Sequence, residues 1–226
     1  MKPEIIHSSD FLNDAVALIE KEAKQAIAER GDFRLALSGG NTPRPVYEAL
    51  AARPQEWDKW IITFGDERCV PPDDVQSNYL MAKKSLFDHA SIPAENILRM
   101  KGELDPAEAA AEYESELRKL TDGQSLYRHD LLLLGMGDDG HTASLFPGTT
   151  ALKESELWVT SNFVPKFDTH RITLTYPLLN ASRHVCFLVN SKGKDDILEK
   201  VFAGNSGFPC EGVQPTDGKL TWLLGA

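Results

Sequence analysis

Cysteine is scarce in this chain, with three thiols at Cys69, Cys186 and Cys210. An odd, widely spaced set gives neither a disulfide framework nor a CxxC-type zinc site, so a reducing cytoplasm is the expected compartment. Long apolar runs are missing as well. Nothing approaches the roughly 18 apolar residues that a membrane span needs, and Met1 to Ile6 carries no signal-peptide pattern. Positive charge is in deficit: 24 Lys and Arg face 34 Asp and Glu, a formal net charge of −10. That balance opposes nonspecific binding to a phosphate backbone, so neither nucleic acid nor membrane is an expected partner. An acidic protein that binds a small anion must hold it with a local cluster of donors instead of a global field. No Ser/Gly-rich or Pro-rich linker and no internal repeat interrupts the sequence. With 42% hydrophobic content, 1–226 reads as one catalytic-sized domain.

The chain does carry strands alternating with helices. Asp10 to Arg30 repeats Leu12, Ala15, Val16, Ile19, Ala23, Ala26 and Ile27 at three- and four-residue spacing, a helix with Ser9 as its cap. Phe33 to Leu37 predicts a strand that stops at Ser38-Gly39-Gly40-Asn41, with Thr42-Pro43 as cap and first-turn proline of the next helix. Trp60 to Phe64 predicts another strand, followed by a helix from about Ser77 to Phe87. Asp105-Pro106-Ala107-Glu108 opens a helix reaching about Leu120. Leu131 to Leu134 has no polar face and suits a central parallel strand covered on both sides. Arg171 to Thr175, His184 to Val189 and Leu220 to Leu224 are further β-rich runs, and Lys194 to Phe202 reads as a helix. The expected class is α/β, three layers with a largely parallel, Rossmann-like sheet. Ligands of such sheets gather at the carboxyl ends of the strands.

The loop after Leu134, Gly135-Met136-Gly137-Asp138-Asp139-Gly140-His141, matches GxGxxG. A dinucleotide is an unsuitable ligand for it. Two carboxylates would meet the pyrophosphate, and Pro147-Gly148 interrupts any following helix. The glycines instead let the backbone turn and present Asp139 beside His141. An imidazole, with an ordinary pKa near 6.5, suits proton transfer near neutrality, and an aspartate can orient it; a turn-capping pair would read the same way. His7, His89, His129, His170 and His184 lack such a setting. Ser38, Gly39, Gly40, Asn41 and Thr42 offer N–H groups, hydroxyls and a helix start suited to a phosphate monoester, without the Gly-Lys-Ser/Thr of a P-loop. Asp66 and Arg68 sit at another strand end, and Lys194 stands at the start of a late helix. No third metal ligand at regular spacing accompanies Asp139 and His141, so neither metal nor organic cofactor is expected.

Taken together, SGGNTPRPVYEAL, GDERCVPPDDVQSNYLM, LLLLGMGDDGHTASLFPG and RITLTYPLLNASRHVCFLV strongly resemble the 6-phosphogluconolactonase family, in its order and from roughly Ile5 to Trp222. The resemblance implies the fold shared with glucosamine-6-phosphate deaminases and ribose-5-phosphate isomerases. It also implies hydrolysis of 6-phospho-D-glucono-1,5-lactone in the oxidative pentose phosphate pathway. In that reading His141 activates water, Asp139 holds the imidazole in the useful tautomer, and Arg68 or loop N–H groups near Gly39-Gly40 take the oxyanion. Ser38 to Thr42, Lys194 and Arg171 hold the phosphate, and Asp66 is counted with these substrate-binding residues. Deaminase relatives carry a catalytic glutamate shortly before a proline, where this chain has Phe146 before Pro147. A deaminase-type isomerase and a non-catalytic sugar-phosphate sensor are the alternatives. Two departures from the family pattern are Ser191, where a glycine is usual, and Gly225, where an aspartate is frequent. The oligomeric state is open, and a monomer is compatible with the sequence.

Overall fold

The computed structural model describes residues 2–121 and 123–225; Asp122 and the two ends of the expected domain, Met1 and Ala226, lie outside the described residues. In chain order the elements are β1 (Glu4–Ser8), α1 (Phe11–Arg30), β2 (Phe33–Leu37), α2 (Arg44–Ala51), β3 (Trp60–Phe64), β4 (Asp66–Arg68) and α3 (Asn78–Ala82). They continue with α4 (Pro106–Lys119), β5 (Leu131–Leu134), β6 (Val159–Val164), β7 (Thr169–Leu174), α5 (Tyr176–Leu179), β8 (His184–Asn190), α6 (Asp195–Ala203) and β9 (Lys219–Gly225).

Six strands form an all-parallel sheet in the order β1-β9-β8-β5-β2-β3. Successive side chains on a strand point to opposite faces, and the leucines of β5 divide accordingly. Leu131 and Leu133 join a core with Ala15, Val16 and Ile19 of α1 and Val46, Tyr47 and Leu50 of α2. Leu132 and Leu134 join the opposite core, with Ala109, Tyr113 and Leu117 of α4 and Leu198 and Val201 of α6. The expected three-layer α/β architecture follows from this division. On the second face Phe187 of β8 stacks on Trp222 of β9, with centroids 3.9 Å apart and planes 3° apart, a pairing worth about 0.5–1.5 kcal/mol beyond its buried area.

Beside the expected, largely parallel sheet stands a smaller antiparallel one. Arg171 to Thr175 does not extend the main sheet; β7 pairs antiparallel with β4 and β6 in a separate three-stranded sheet. Gly65 makes the transfer, its N–H donating to Leu37 O in the main sheet while its carbonyl accepts from Leu174 N in the small one.

Helix ends differ from expectation in identifiable ways. Ser9 does not cap α1. The adjacent Ser8 hydroxyl donates to Asp14 and accepts from Asp10 N, so the turn closes one residue earlier. Leu12 is exposed and drops out of the buried stripe. The helix then stops at Gly31, at φ 89°, whose N–H donates to Ile27 O. α2 opens at Arg44 behind Pro43, without a Thr42 side-chain cap. The helix expected from about Ser77 to Phe87 is capped by Ser77, Leu80 N donating to its Oγ, but it widens into a π turn over Lys83–Phe87. There the Ser85 hydroxyl donates back to Met81 O, a competing bond that loosens helices. Asp105 caps α4 as expected, accepting from Ala107 N and Glu108 N.

Candidate active site

In the main sheet, β2 and β5 are neighbours whose connections run to opposite sides, so a crevice opens between the loops that follow them. A cavity of about 220 Å³ lies there. Its wall takes Ser38 to Pro43 after β2, Asp66 and Arg68 from β4, Gly135 to Gly137 and His141 after β5, Asn190 at the end of β8 and Lys194 after it. Four loops far apart in sequence meet because their strands stand side by side.

The loop after β5 folds back on itself. Gly137 N donates to His141 O at 2.9 Å and the Thr142 hydroxyl to Gly135 O at 2.9 Å. A Cβ at Gly137 would stand 2.1 Å from the His141 ring, so glycine is what lets the imidazole lie over the turn. Ala143 has a φ of 47°, a left-handed conformation unfavourable for a residue with a Cβ, immediately beside the cavity. No α-helix follows the loop, only a short 3-10 turn at Thr150–Lys153. The dinucleotide reading therefore lacks its helix N-terminus as well as its charge.

His141 Nδ1–H donates to Asp139 Oδ1 at 2.5 Å, which leaves Nε2 as the ring's acceptor nitrogen. Lys166, from the turn between β6 and β7, donates to the other oxygen of Asp139 at 2.8 Å. Burial pushes the Asp139 carboxyl up, but the bonds from Lys166 and His141 outweigh it and hold the group well below the ordinary carboxylate range. Phe146 stacks on one face of the imidazole, with the two ring planes 19° apart. The imidazole is thus held by a carboxylate at one edge and an aromatic plane on one face.

The loop after β2 is pinned from α2. Ser38 N donates to Tyr47 Oη, and Tyr47 Oη donates to Ser38 O, both at 3.0 Å. Burial pushes the Tyr47 phenol well above its ordinary range in the same setting, a direction that keeps its proton available to Ser38. The Ser38 hydroxyl is buried and has no hydrogen-bond partner among the described residues, while it lines the cavity. A hydroxyl so placed is available to a polar group entering the cavity. Gly39 packs against Asn78, whose side chain a Cβ would meet at 1.9 Å.

The cationic side chains divide. Lys194 Nζ donates to Met136 O at 2.6 Å and lies 3.3 Å from the exposed Asp138 carboxylate. Arg68 lines the cavity, one guanidinium nitrogen donating to Gln76 O. Arg171 stands directly opposite Arg68 in the antiparallel pair but is not part of the cavity wall. Burial, then the neighbouring Arg68 charge, push the Arg171 guanidinium down. Asp66 does lie in the wall, yet its oxygens already accept from the Ser144 hydroxyl at 2.6 Å and Asn78 Nδ2 at 3.1 Å. A carboxylate repels phosphate, so Asp66 suits holding the wall or accepting from a hydroxyl.

Ser144 spends its hydroxyl on Asp66, and Cys69 has its thiol pushed up to about 11 by burial. Neither is set up as a nucleophile. Among the described residues no group of three or more His, Cys, Asp and Glu is arranged to hold a metal ion.

Sequence reasoning missed Lys166, Tyr47, Asn78 and the stacking role of Phe146. Lys166 reaches Asp139 only because the small antiparallel sheet brings its turn across the β5 loop, and no local pattern signals that. Tyr47 was detectable as a polar-tipped residue on a buried helix face.

A family model described as glucosamine-6-phosphate isomerases/6-phosphogluconolactonase matches residues 7–222. A 6-phosphogluconolactonase of Nostoc sp. is 43% identical, over 96% of this chain and 95% of its own. One from Synechocystis sp. is 40% identical, over 99% of this chain and 96% of its own. The crystal structure of 6-phosphogluconolactonase from Thermotoga maritima superimposes with a TM-score of 0.90 at 32% identity, covering 100% of both chains.

Proposed function

Since the chain belongs to the glucosamine-6-phosphate isomerase/6-phosphogluconolactonase family and is a hydrolase of its lactonase branch, we propose that it opens 6-phospho-D-glucono-1,5-lactone by a water molecule that His141 activates. The observation that carries this is the Asp139–His141 pair, with Nδ1 committed to the carboxylate and the imidazole set in the cavity wall. Nε2 takes a proton from water as the oxygen attacks the lactone carbonyl. The resulting imidazolium then protonates the ring oxygen as the C–O bond breaks, giving 6-phospho-D-gluconate. Asp139 keeps the useful tautomer and offsets the imidazolium charge, and Lys166 keeps Asp139 ionised. No covalent intermediate is required.

The phosphate falls to the Ser38 to Thr42 loop and Lys194. The open Ser38 hydroxyl and the lysine charge supply the local donors that a chain of net charge −10 must provide. Arg68 is the donor for the tetrahedral oxyanion, its planar fork lying in the same wall. Arg171 acts behind it, adding positive potential through the cross-strand pair. Binding energy at the phosphate then positions the distant carbonyl.

Phe146 separates this reading from the deaminase alternative. An apolar ring stacked on the imidazole has no proton to relay to an amine or a sugar ring oxygen. The proposal takes 1–226 as one catalytic domain in a reducing compartment, the cytoplasm. Among the described residues no helix is long and apolar enough to cross a membrane. Purified protein should consume fresh phosphogluconolactone faster than it hydrolyses spontaneously, with far less activity on unphosphorylated gluconolactone. Ammonia release from glucosamine 6-phosphate without lactone turnover would refute the assignment.

A further inference from the structure

The end of the sheet opposite the active site carries a second polar cavity, of about 410 Å³. It forms where β2, β5 and β8 begin, and Arg30, Arg34, Arg128 and Arg183 line it with Asp32, Asp130 and Gln124. Four guanidiniums therefore face two carboxylates, within a protein whose net charge is −10. Glu29 and Asp217 pair with Arg30 and Arg128 on the solvent side, both with largely open side chains.

Asp130 cannot satisfy this cluster. It is buried, and its Oδ2 accepts from Arg34 N at 2.9 Å. Its Oδ1 is shared between Arg30 Nε at 2.9 Å and Arg183 Nε at 3.2 Å. The Arg183 contact is an ion pair without hydrogen-bond alignment, and Arg183 Nε is a buried donor with no hydrogen-bond partner. Burial first, then the charges of Arg128 and Arg30, push the Arg183 guanidinium down, and the pull of Asp130 does not offset them. Positive potential is left over at this point. Arg34 donates to Leu120 O and Asp32, and Arg128 donates to Ala181 O and Asp217 O, so the open fork is that of Arg183. A buried donor left unmet on a planar guanidinium is what a phosphate oxygen satisfies.

We propose that this cavity is a second anion site, one that takes a small molecule bearing a diphosphate or a comparably charged phosphate group. The volume suits a metabolite-sized ligand, within the roughly 300–1,000 Å³ of ligand pockets. The site is separate from the lactone's by the length of the strands. The same three strands also end in the loops of Ser38, Gly135 to His141 and Lys194. Occupancy stabilises the folded form by mass action, because the four arginines converge only when the three strands are assembled.

The test is an amide NMR titration of the full chain with inorganic pyrophosphate at constant ionic strength. Saturable shifts are expected at Arg34, Asp130 and Arg183, distinct from any at Ser38 to Thr42, which report pyrophosphate in the catalytic cavity. Arg183→Gln should weaken the distal set by about tenfold or more, the loss of one charge-assisted contact, while kcat and KM for the lactone stay within about twofold. Arg128→Gln, at the rim, serves as the second variant should Arg183→Gln fail to fold. Shifts confined to the catalytic loops, distal shifts reproduced by sodium chloride alone, or unchanged affinity in the folded variant would each overturn the proposal. The cluster would then be a structural ion-pair network only.

Discussion

His141 and Phe146 lie face to face, with ring centroids 4.0 Å apart and planes 19° apart. Phe167 meets Phe146 edge-on at 5.7 Å, so the stack is itself braced. With Asp139 fixing Nδ1, the imidazole has one plane and one tautomer available.

Replacing that plane should therefore cost turnover more than binding. Phe146→Leu keeps the site apolar but removes the flat surface, and kcat should fall roughly tenfold, as a general base loses alignment, with KM changed less. Steady-state kinetics on fresh lactone decide it. Equal loss in kcat and gain in KM would assign Phe146 to substrate binding instead.

Lys194→Ala should raise KM for the phosphorylated lactone by about tenfold, the order expected for one charged hydrogen bond, and leave unphosphorylated gluconolactone untouched. Measuring both substrates side by side provides the check. An equal effect on each would remove Lys194 from the phosphate subsite.

Glu67 ties β4 to α3. Its buried carboxylate accepts from Arg68 N, Ser77 Oγ, Asn78 N and Tyr79 N, at 2.7–3.0 Å. Glu67→Ala leaves buried donors unmet and should destabilise the fold by about 2–4 kcal/mol. Arg68 and Asn78 would lose their placement with it. Denaturant unfolding reads the stability, and a change below about 0.5 kcal/mol would contradict the bonding described.

His129 supplies a pH dependence. Burial, then the charge of Arg34, push its imidazole down to about 3, against about 6.5 in an unfolded chain. The folded form refuses a proton that the unfolded form accepts. Its stabilising contribution is complete above about pH 6.5 and is lost as pH falls toward about 3, with a slope of up to about 1.4 kcal/mol per pH unit. Comparing unfolding curves of the native chain and His129→Leu between pH 7 and 4 should show a flatter dependence in the variant. Parallel curves would show that other groups set the acid limb.

Local chemistry carried much of this into the sequence. The four leucines of β5 announced a strand buried on both faces, and the stop at Ser38-Gly39-Gly40 announced a loop at a strand's end. His141, Lys194 and the Ser38 to Thr42 loop were legible as separate strand-end features, and the parallel sheet gathers them into one cavity. What remained hidden depends on pairing between distant segments. β4 is three residues long and gains its identity only beside β7. Lys166 reaches Asp139 across that second sheet, and Arg171 is drawn off the cavity wall by the same register. Ser9 and Thr42 were misread as caps because a neighbouring hydroxyl in one case and a proline in the other decided the helix start.

The central claim is that His141 Nε2 activates the attacking water. The most direct measurement is kcat of His141→Ala on freshly prepared 6-phosphogluconolactone, corrected for spontaneous hydrolysis, in protein whose unfolding curve matches the native one. A fall of at least about a hundredfold, the usual contribution of a general base, is the predicted result. Turnover within a few-fold of the native rate would contradict it.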